Sequence, residues 1–281
     1  MRATNMTVSK IYGPIIPQKR IFSLKKTNIK HLTFLGSGNV ASHLAQAFTA
    51  AGCVVDQIYS PHLENARRLA DGVKAEPIDS FSQISSSADA YIVAITDDAL
   101  AHLADELHLP DRLVVHTSGT TPMSVLTGVS SRCAVMWPPQ TFAREVPMDY
   151  SQLHFCIEAS SDEVAMQVEA LARMVTPHIH HLDSEQRRWA HLASVFVNNF
   201  GNAVNAIAQE MMRAHGLDYD MLLPLIRETS FRADGPDLWE RQTGPARRRD
   251  KATIESHLDM LSDMPQLKEL YEMMTKIIMS K

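Results

Sequence analysis

A chain of 281 residues, 45% of them hydrophobic, is long enough to bury more than one core. Its net charge of −5 gives no global reason to bind nucleic acid or an anionic membrane, and no apolar run approaches the ~20 residues of a membrane span. The 3 cysteines (Cys53, Cys133, Cys156) lack C-x-x-C spacing, which argues against a disulfide framework or a zinc site and fits a reducing cytoplasm.

Residues 1–30 hold Arg2, Lys10, Lys19, Arg20, Lys25, Lys26 and Lys30 and no acid. A targeting leader is one reading of such a segment. A disordered basic extension is preferred, because the first convincing strand is His31–Leu35. From there short apolar strands alternate with amphipathic helices. Strands are predicted at 54–59, 91–95, 113–116, 133–136, 154–158 and 178–182, and helices at 39–51, 63–71, 99–107 and 161–174. This alternation predicts an α/β domain over 31–183: a Rossmann-type, mostly parallel sheet with helices on both faces. Strand patterning stops there, and residues 184–281 are expected to be an all-helical domain for substrate binding and dimerisation, with helices at 188–214, 221–232, 252–262 and 264–279.

Gly36-Ser37-Gly38-Asn39-Val40-Ala41 is a G-x-G-x-x-A loop between the first strand and the first helix. Gly36 permits the tight turn, Gly38 admits a pyrophosphate to the backbone, and Ala41 lets helix and sheet approach. Anionic phosphate then lies at the helix N-terminus. The second strand ends Tyr59-Ser60-Pro61-His62, without the acid that NAD sites place there, so Ser60, His62 and Arg67 are candidates for a 2′-phosphate and NADPH is preferred over NADH. Arg67 and Arg68 read equally as solvated helix residues.

Further along, Thr96 and Asp97 follow a buried strand at the sheet edge where ligands bind, and Asp97 or Asp98 is also placed to cap the next helix. His116-Thr117-Ser118-Gly119-Thr120-Thr121 ends another strand in a run of hydroxyls expected near a nicotinamide. His116 is read either as an acid–base group or as a satisfied strand-end histidine. Trp137-Pro138-Pro139-Gln140-Thr141 offers a wall of the same pocket, or only a stiff turn.

These segments, with those of the C-terminal half, resemble the Rossmann-like NADP or deazaflavin-dependent oxidoreductases that carry an uncharacterised helical C-terminal domain. More distantly they are similar to pyrroline-5-carboxylate reductase and 6-phosphogluconate dehydrogenase-like proteins. The resemblance implies the fold, NADP binding and a homodimer, and names no substrate.

Ala190–Gln209 contains no Asp, Glu, Lys or Arg. On an α-helix Trp189, Leu192, Phe196, Phe200 and Val204 share one face, and His191, Ser194, Asn198, Asn202 and Asn205 the other. Amides both donate and accept, so this stripe suits a polar substrate, or amides buried between helices. Either reading keeps it from bulk water. Val195 and Asn199 stand where related hydroxyacid dehydrogenases carry Lys and Asn. Without that lysine, His191 is the candidate proton donor, assisted by Asn198 and Asn202.

In Gln242-Thr243-Gly244-Pro245-Ala246-Arg247-Arg248-Arg249-Asp250 the Gly-Pro turn can open a short helix, with Thr243 as cap and Asp250 capping the next. The resemblance makes Gln242, Thr243 and Arg248 candidates for substrate contact, Arg248 as a bidentate partner for a carboxylate or phosphate, and Gln140 and Asn199 are candidates beside them. His178, His180 and His181 form no four-ligand set, so no metal is expected. The expected activity is NADP(H)-dependent reduction of a small polar C=N or C=O compound at the cleft between domains. A non-catalytic dinucleotide sensor is the alternative.

Overall fold

The computed structural model describes residues 28–143, 146–234 and 237–281. Most of the expected basic extension lies outside them. The chain divides into two compact units, the first running to Ala203 and the second from Val204 to Lys281.

The first unit is built on an eight-stranded sheet in the order β3-β2-β1-β4-β5-β6-β7-β8. Its strands are β1 (His31–Leu35), β2 (Val54–Tyr59), β3 (Glu76–Ile78), β4 (Ala90–Val93), β5 (Leu113–His116), β6 (Arg132–Trp137), β7 (His154–Ala159) and β8 (His178–His181). All neighbours run parallel except β6 and β7, which are antiparallel. The helices are α1 (Asn39–Ala50), α2 (Leu63–Val73), α3 (Asp97–Ala101), α4 (Leu103–Glu106), α5 (Asp162–Ala172) and α6 (Ser184–Ser194).

Side-chain alternation along each strand supplies two cores. Leu32 and Phe34 of β1 face one core with Leu44 and Phe48 of α1 and Val168 and Leu171 of α5. Leu35 faces the other, with Tyr91, Val93, Leu100 and Leu103. The Rossmann-type sheet is therefore covered on both sides, as the apolar strand runs predict.

Differences from the sequence expectation have local causes. The edge strand β3 escapes notice because Pro77 gives it an edge-only pattern. The single helix expected over 99–107 is two, parted at His102. Thr96, not Asp97 or Asp98, caps α3: its Oγ1 accepts the Ala99 N–H at 3.4 Å. A hydroxyl on the preceding residue reaches that orphan donor, which leaves both carboxylates in the first turn.

α6 starts at a capping box in which Asp183 accepts the Gln186 N–H and Gln186 reaches back to the Asp183 N–H. The helix does not continue as expected. Val195–Phe200 form a π-helical segment, and α7 (Gly201–Ala214) resumes after it. One extra residue in a turn rotates the helix beyond it by roughly 100°, so the expected single stripe of amides is broken between Asn198 and Asn202. The expectation that the stripe is kept from bulk water is not met by the described residues of this chain: Asn198 and Asn202 are exposed, and on the apolar face Trp189 is 66% exposed, Phe196 62% and Phe200 51%.

The second unit contains most of α7, then α8 (Leu223–Phe231), α9 (Pro245–Arg248), α10 (Lys251–Met260) and α11 (Pro265–Met279). His257 Nδ1 meets the Tyr271 hydroxyl at 2.8 Å, tying α10 to α11. The Lys281 ammonium lies over the Trp239 ring at 5.6 Å.

Candidate functional site

Gly36 leaves β1 at φ +118°, a left-handed conformation that a side chain strains, and its N–H donates to the Tyr59 carbonyl at 2.8 Å. A Cβ here would strike the Ala94 carbonyl. Gly38 serves differently. Its φ of −73° suits any residue, and a Cβ on it would meet nothing within 4 Å. It opens α1, and no side chain caps that helix. Steric need fixes Gly36 from inside the protein, whereas Gly38 leaves space where an anion can approach backbone N–H groups.

That space is part of a cavity of about 1100 Å³ lined by Gly36, Ser37, Gly38, Tyr59, Ser60 and Thr96 of the expected residues. Phe81 and Asp79, which no sequence motif marks, line it as well. Phe81 stacks on Tyr59 with centroids 4.2 Å apart. A dinucleotide fits these features: room at a Gly-lined helix start, a neighbouring hydroxyl at Ser60, and ring surfaces beyond the second strand.

The other expected cofactor residues do not line this cavity. Asn39 donates from Nδ2 to the Phe142 carbonyl at 2.9 Å, fastening α1 to the segment after β6. Val40 packs against the core. His62 is exposed at the start of α2, and Arg67 is ion-paired with Glu64 at 2.8 Å. The Ser118 hydroxyl accepts the N–H groups of Thr120 and Thr121, so the hydroxyl run largely satisfies its own turn. Thr117 donates to the Val93 carbonyl at 3.4 Å. Asp97 accepts from Thr120 at 2.7 Å. Burial pushes its carboxyl up, but hydroxyls of Ser118, Thr120 and Thr121 outweigh that and hold it below the ordinary carboxylate range.

His116 is fully buried and accepts the Ser118 N–H on Nδ1 at 3.1 Å. Burial, reinforced by the nearby Arg187 guanidinium, pushes its pKa down to about 3. The satisfied strand-end histidine of the sequence reading is met only in part, because the buried Nε2 has no hydrogen-bond partner among the described residues. A neutral, enclosed ring has no proton to give at ordinary pH.

Nothing in the sequence marks Arg187, which looks there like any helix-surface arginine. It is 1% exposed. One arm donates to the Thr121 carbonyl at 2.9 Å and to those of Ser118 and Gly119 at 3.4 Å; the other binds Glu158 at 2.7 Å and the Ser184 hydroxyl at 3.1 Å. The guanidinium thus clamps the 118–121 turn to β7 and α6. A four-residue offset puts His191 on the same side of α6, one turn further on.

There the turn meets the imidazole. A Cβ on Gly119 would lie 2.5 Å from His191 Cδ2 and 2.9 Å from the Trp137 ring, and the Trp137 and His191 ring centroids are 5.8 Å apart. Only a bare backbone lets the ring sit against the turn. His191, Asn198, Asn199 and Gln140, four of the expected residues, line a second cavity of about 650 Å³ with Trp137 and Thr141. Asn202, beyond the π turn, does not line it.

In the second unit Gly244, at φ +98°, caps α9, not Thr243 as expected, and no side chain contributes a cap bond. The positive φ turns the chain so that the cap position falls one residue later. Gln242 donates to the Thr243 carbonyl at 3.0 Å, Arg248 is exposed, and Asp250 caps α10 by accepting the Thr253 N–H. Among the described residues no group of three or more His, Cys, Asp or Glu is placed to hold a metal ion. No described helix is long and apolar enough to cross a membrane.

Residues 31–119 match the family described as NADP oxidoreductase, coenzyme F420-dependent, and residues 153–278 match a domain of unknown function, DUF2520. No curated protein matches the sequence. A solved structure from Bacteroides fragilis, titled a "putative NADP oxidoreductase", is 37% identical with a TM-score of 0.83, over 90% of this chain and 99% of that one. A Thermotoga maritima protein is 21% identical, with a TM-score of 0.69 over 88% and 96%. A reductive aminase from Aspergillus terreus, solved with NADPH and ethyl levulinate, is 14% identical, with a TM-score of 0.66 over 88% and 94%. The last two share the fold alone. At 37% identity over nearly its whole length, the chain belongs to the NADP oxidoreductase family that joins an F420-dependent-type oxidoreductase domain to a DUF2520 domain.

Proposed function

We propose that this protein is an NADPH-dependent reductase of a small polar compound containing a C=N or C=O group. The observation that carries the reading is the pairing, within one unit, of a cavity at the Gly36–Gly38 helix start with an amide-lined cavity around His191. When bound, the nicotinamide supplies a hydride. Backbone N–H groups after Gly38 would hold the dinucleotide's phosphates, and Ser60 would take the place of the acid that selects NAD. His191 donates a proton from a ring nitrogen to the substrate nitrogen or oxygen. Trp137 and the Gly119 turn fix its ring, and Asn198, Asn199 and Gln140 orient the substrate. Asn202 has no part in this reading.

The exposed apolar face of Trp189, Phe196, Val197 and Phe200 supports a homodimer. A Phe196→Glu variant should then sediment as a monomer where the parent is a dimer; an unchanged mass would remove that face from the interface.

Parallel titration with NADPH and NADH tests the cofactor assignment. NADPH should bind at least tenfold more tightly. Gly38→Ala should keep the parent's thermal stability, since its Cβ would meet none of the described residues within 4 Å, yet lose most dinucleotide affinity. If neither nucleotide binds, or NADH binds better, the reading fails. Among the described residues His191 is the one titratable side chain lining the second cavity, and this thin acid–base equipment favours a non-catalytic sensor as the second reading. Tight NADPH binding with no oxidation across a carbonyl and imine panel would favour it.

A further inference from the structure

The cavity around His191 carries information about its ligand's charge. Among the described residues no Asp, Glu, Lys or Arg lines it. Its polar equipment is the amides of Gln140, Asn198 and Asn199, the hydroxyls of Thr141 and Ser194, and the His191 ring; the remainder is apolar, with Trp137 its largest surface. Several of these groups are already committed. The Ser194 hydroxyl donates to the Ala190 carbonyl at 2.9 Å, and the Gln140 side-chain carbonyl accepts the Thr141 N–H at 2.8 Å, leaving its NH₂ as a donor. The Asn198 and Asn199 amides make no hydrogen bond to other described residues. Both sit in the π-helical segment, a local departure that often accompanies a binding site.

Gln140, Thr141, Asn198 and Asn199 are exposed at the mouth and Trp137 is buried at the floor, so an anion packed on Trp137 would give up part of its hydration with only the His191 ring to offset it, and an ammonium would find no carboxylate among the described lining residues. A neutral group that both accepts and donates would be matched by free Asn amides, which do the same. The nearby Arg187 guanidinium does not line the cavity: its two arms are bound to the Ser118–Thr121 turn, Glu158 and Ser184, and its Nε–H, which has no partner among the described residues, is enclosed.

We propose that this cavity selects uncharged, carboxamide-like ligands, in which a carbonyl or imine beside a hydrogen-bonding group packs on Trp137, and rejects carboxylates and phosphates. This specificity rests on reading the cavity as the substrate site of the proposed reductase. It also narrows that reading, since hydroxyacids, keto acids and phosphorylated sugars are excluded.

The test uses matched probes on the full-length chain, with and without NADPH: benzamide against benzoate, and cyclohexanecarboxamide against cyclohexanecarboxylate. Binding is followed by ligand-observed NMR and by Trp fluorescence, with Trp137→Phe identifying the responding ring. Each carboxamide should bind at least tenfold better than its carboxylate. Asn198→Lys should reverse the order by installing a cation, with Asn199→Lys as the second variant should the first not fold. Equal or better binding of the carboxylates, or no carboxamide binding at millimolar concentration, would overturn the proposal. NADPH affinity, measured separately, reports on the reductase reading. If NADPH binds while carboxylates win, only the specificity fails; if carboxamides win and NADPH does not bind, the selectivity stands and the reductase reading fails.

Discussion

The two cavities of the first unit are built from different materials. The one at Gly36–Gly38 is shaped by backbone at strand ends, where steric exclusion at one glycine and empty space at the other define it within a few consecutive residues. The one at His191 is made of side chains from the segment after β6, from α6 and from the π-helical turn. It holds together because Arg187 reaches from α6 into the 118–121 turn that supports the imidazole. Local backbone geometry tolerates change elsewhere in the fold. A cavity assembled over distance depends on its tie points, and substitutions should separate the two.

The largest effect is expected at the tie. Arg187→Met leaves the Glu158 carboxylate with only the Ser184 hydroxyl and removes the donors held by three carbonyls of the turn. Removing one partner of a fully buried ion pair costs about 3–5 kcal/mol, an upper bound here because the Glu158 side chain is 17% exposed, and adding Glu158→Gln should recover part of the loss. Chemical denaturation checks both, and additive losses in the double variant would show that the pair is not coupled.

Gly36→Ala comes next. Its Cβ would enter the Ala94 carbonyl at a positive φ, so about 1–3 kcal/mol of stability should go together with NADPH affinity. Gly119→Ala is the matching change at the other cavity, pressing on His191 and Trp137. A loss of similar or smaller size is expected, since the imidazole can swing aside, with NADPH affinity kept within about twofold. If Gly119→Ala abolished NADPH binding, the two cavities would not be separable.

The same contrast explains what could be read from the sequence. β1, the glycine loop and α1 are contiguous, and strand periodicity with fixed glycine offsets places Gly36, Gly38 and Ser60 without knowledge of the rest. His191, Asn198 and Asn199 stand out because a long helix without charged residues is unusual. Their grouping with Gln140 depends on sheet order, and the loss of Asn202 depends on the π turn, which no periodicity announces. Arg187 is illegible for a different reason. A guanidinium one turn into a helix looks solvated until the turn after β5 and the Glu158 carboxylate are folded around it. His116 shows the converse: a titratable residue in a suggestive motif is silenced by burial, a quantity that sequence does not carry.

That silencing has a measurable consequence and gives the smallest predicted effect. The folded protein holds the His116 pKa near 3, against an unperturbed value of about 6.5. Burial acts first and Arg187 second, while Asp97 opposes both. The pKa is depressed on folding, so between these values the unfolded chain binds the extra proton. The neutral ring's contribution is therefore complete above about pH 6.5 and is lost as pH falls toward 3. One proton corresponds to a slope of at most about 1.4 kcal/mol per pH unit. His116→Gln should flatten the stability curve between about pH 6 and 4 by up to that amount. The slope left should come from carboxylates such as Asp97, whose lowered pKa acts in the same direction at lower pH. Urea denaturation at half-unit steps of pH reads both. A curve unchanged by the substitution would mean that His116 takes up its proton over the same pH range folded and unfolded, and would overturn the depression assigned to its burial beside Arg187.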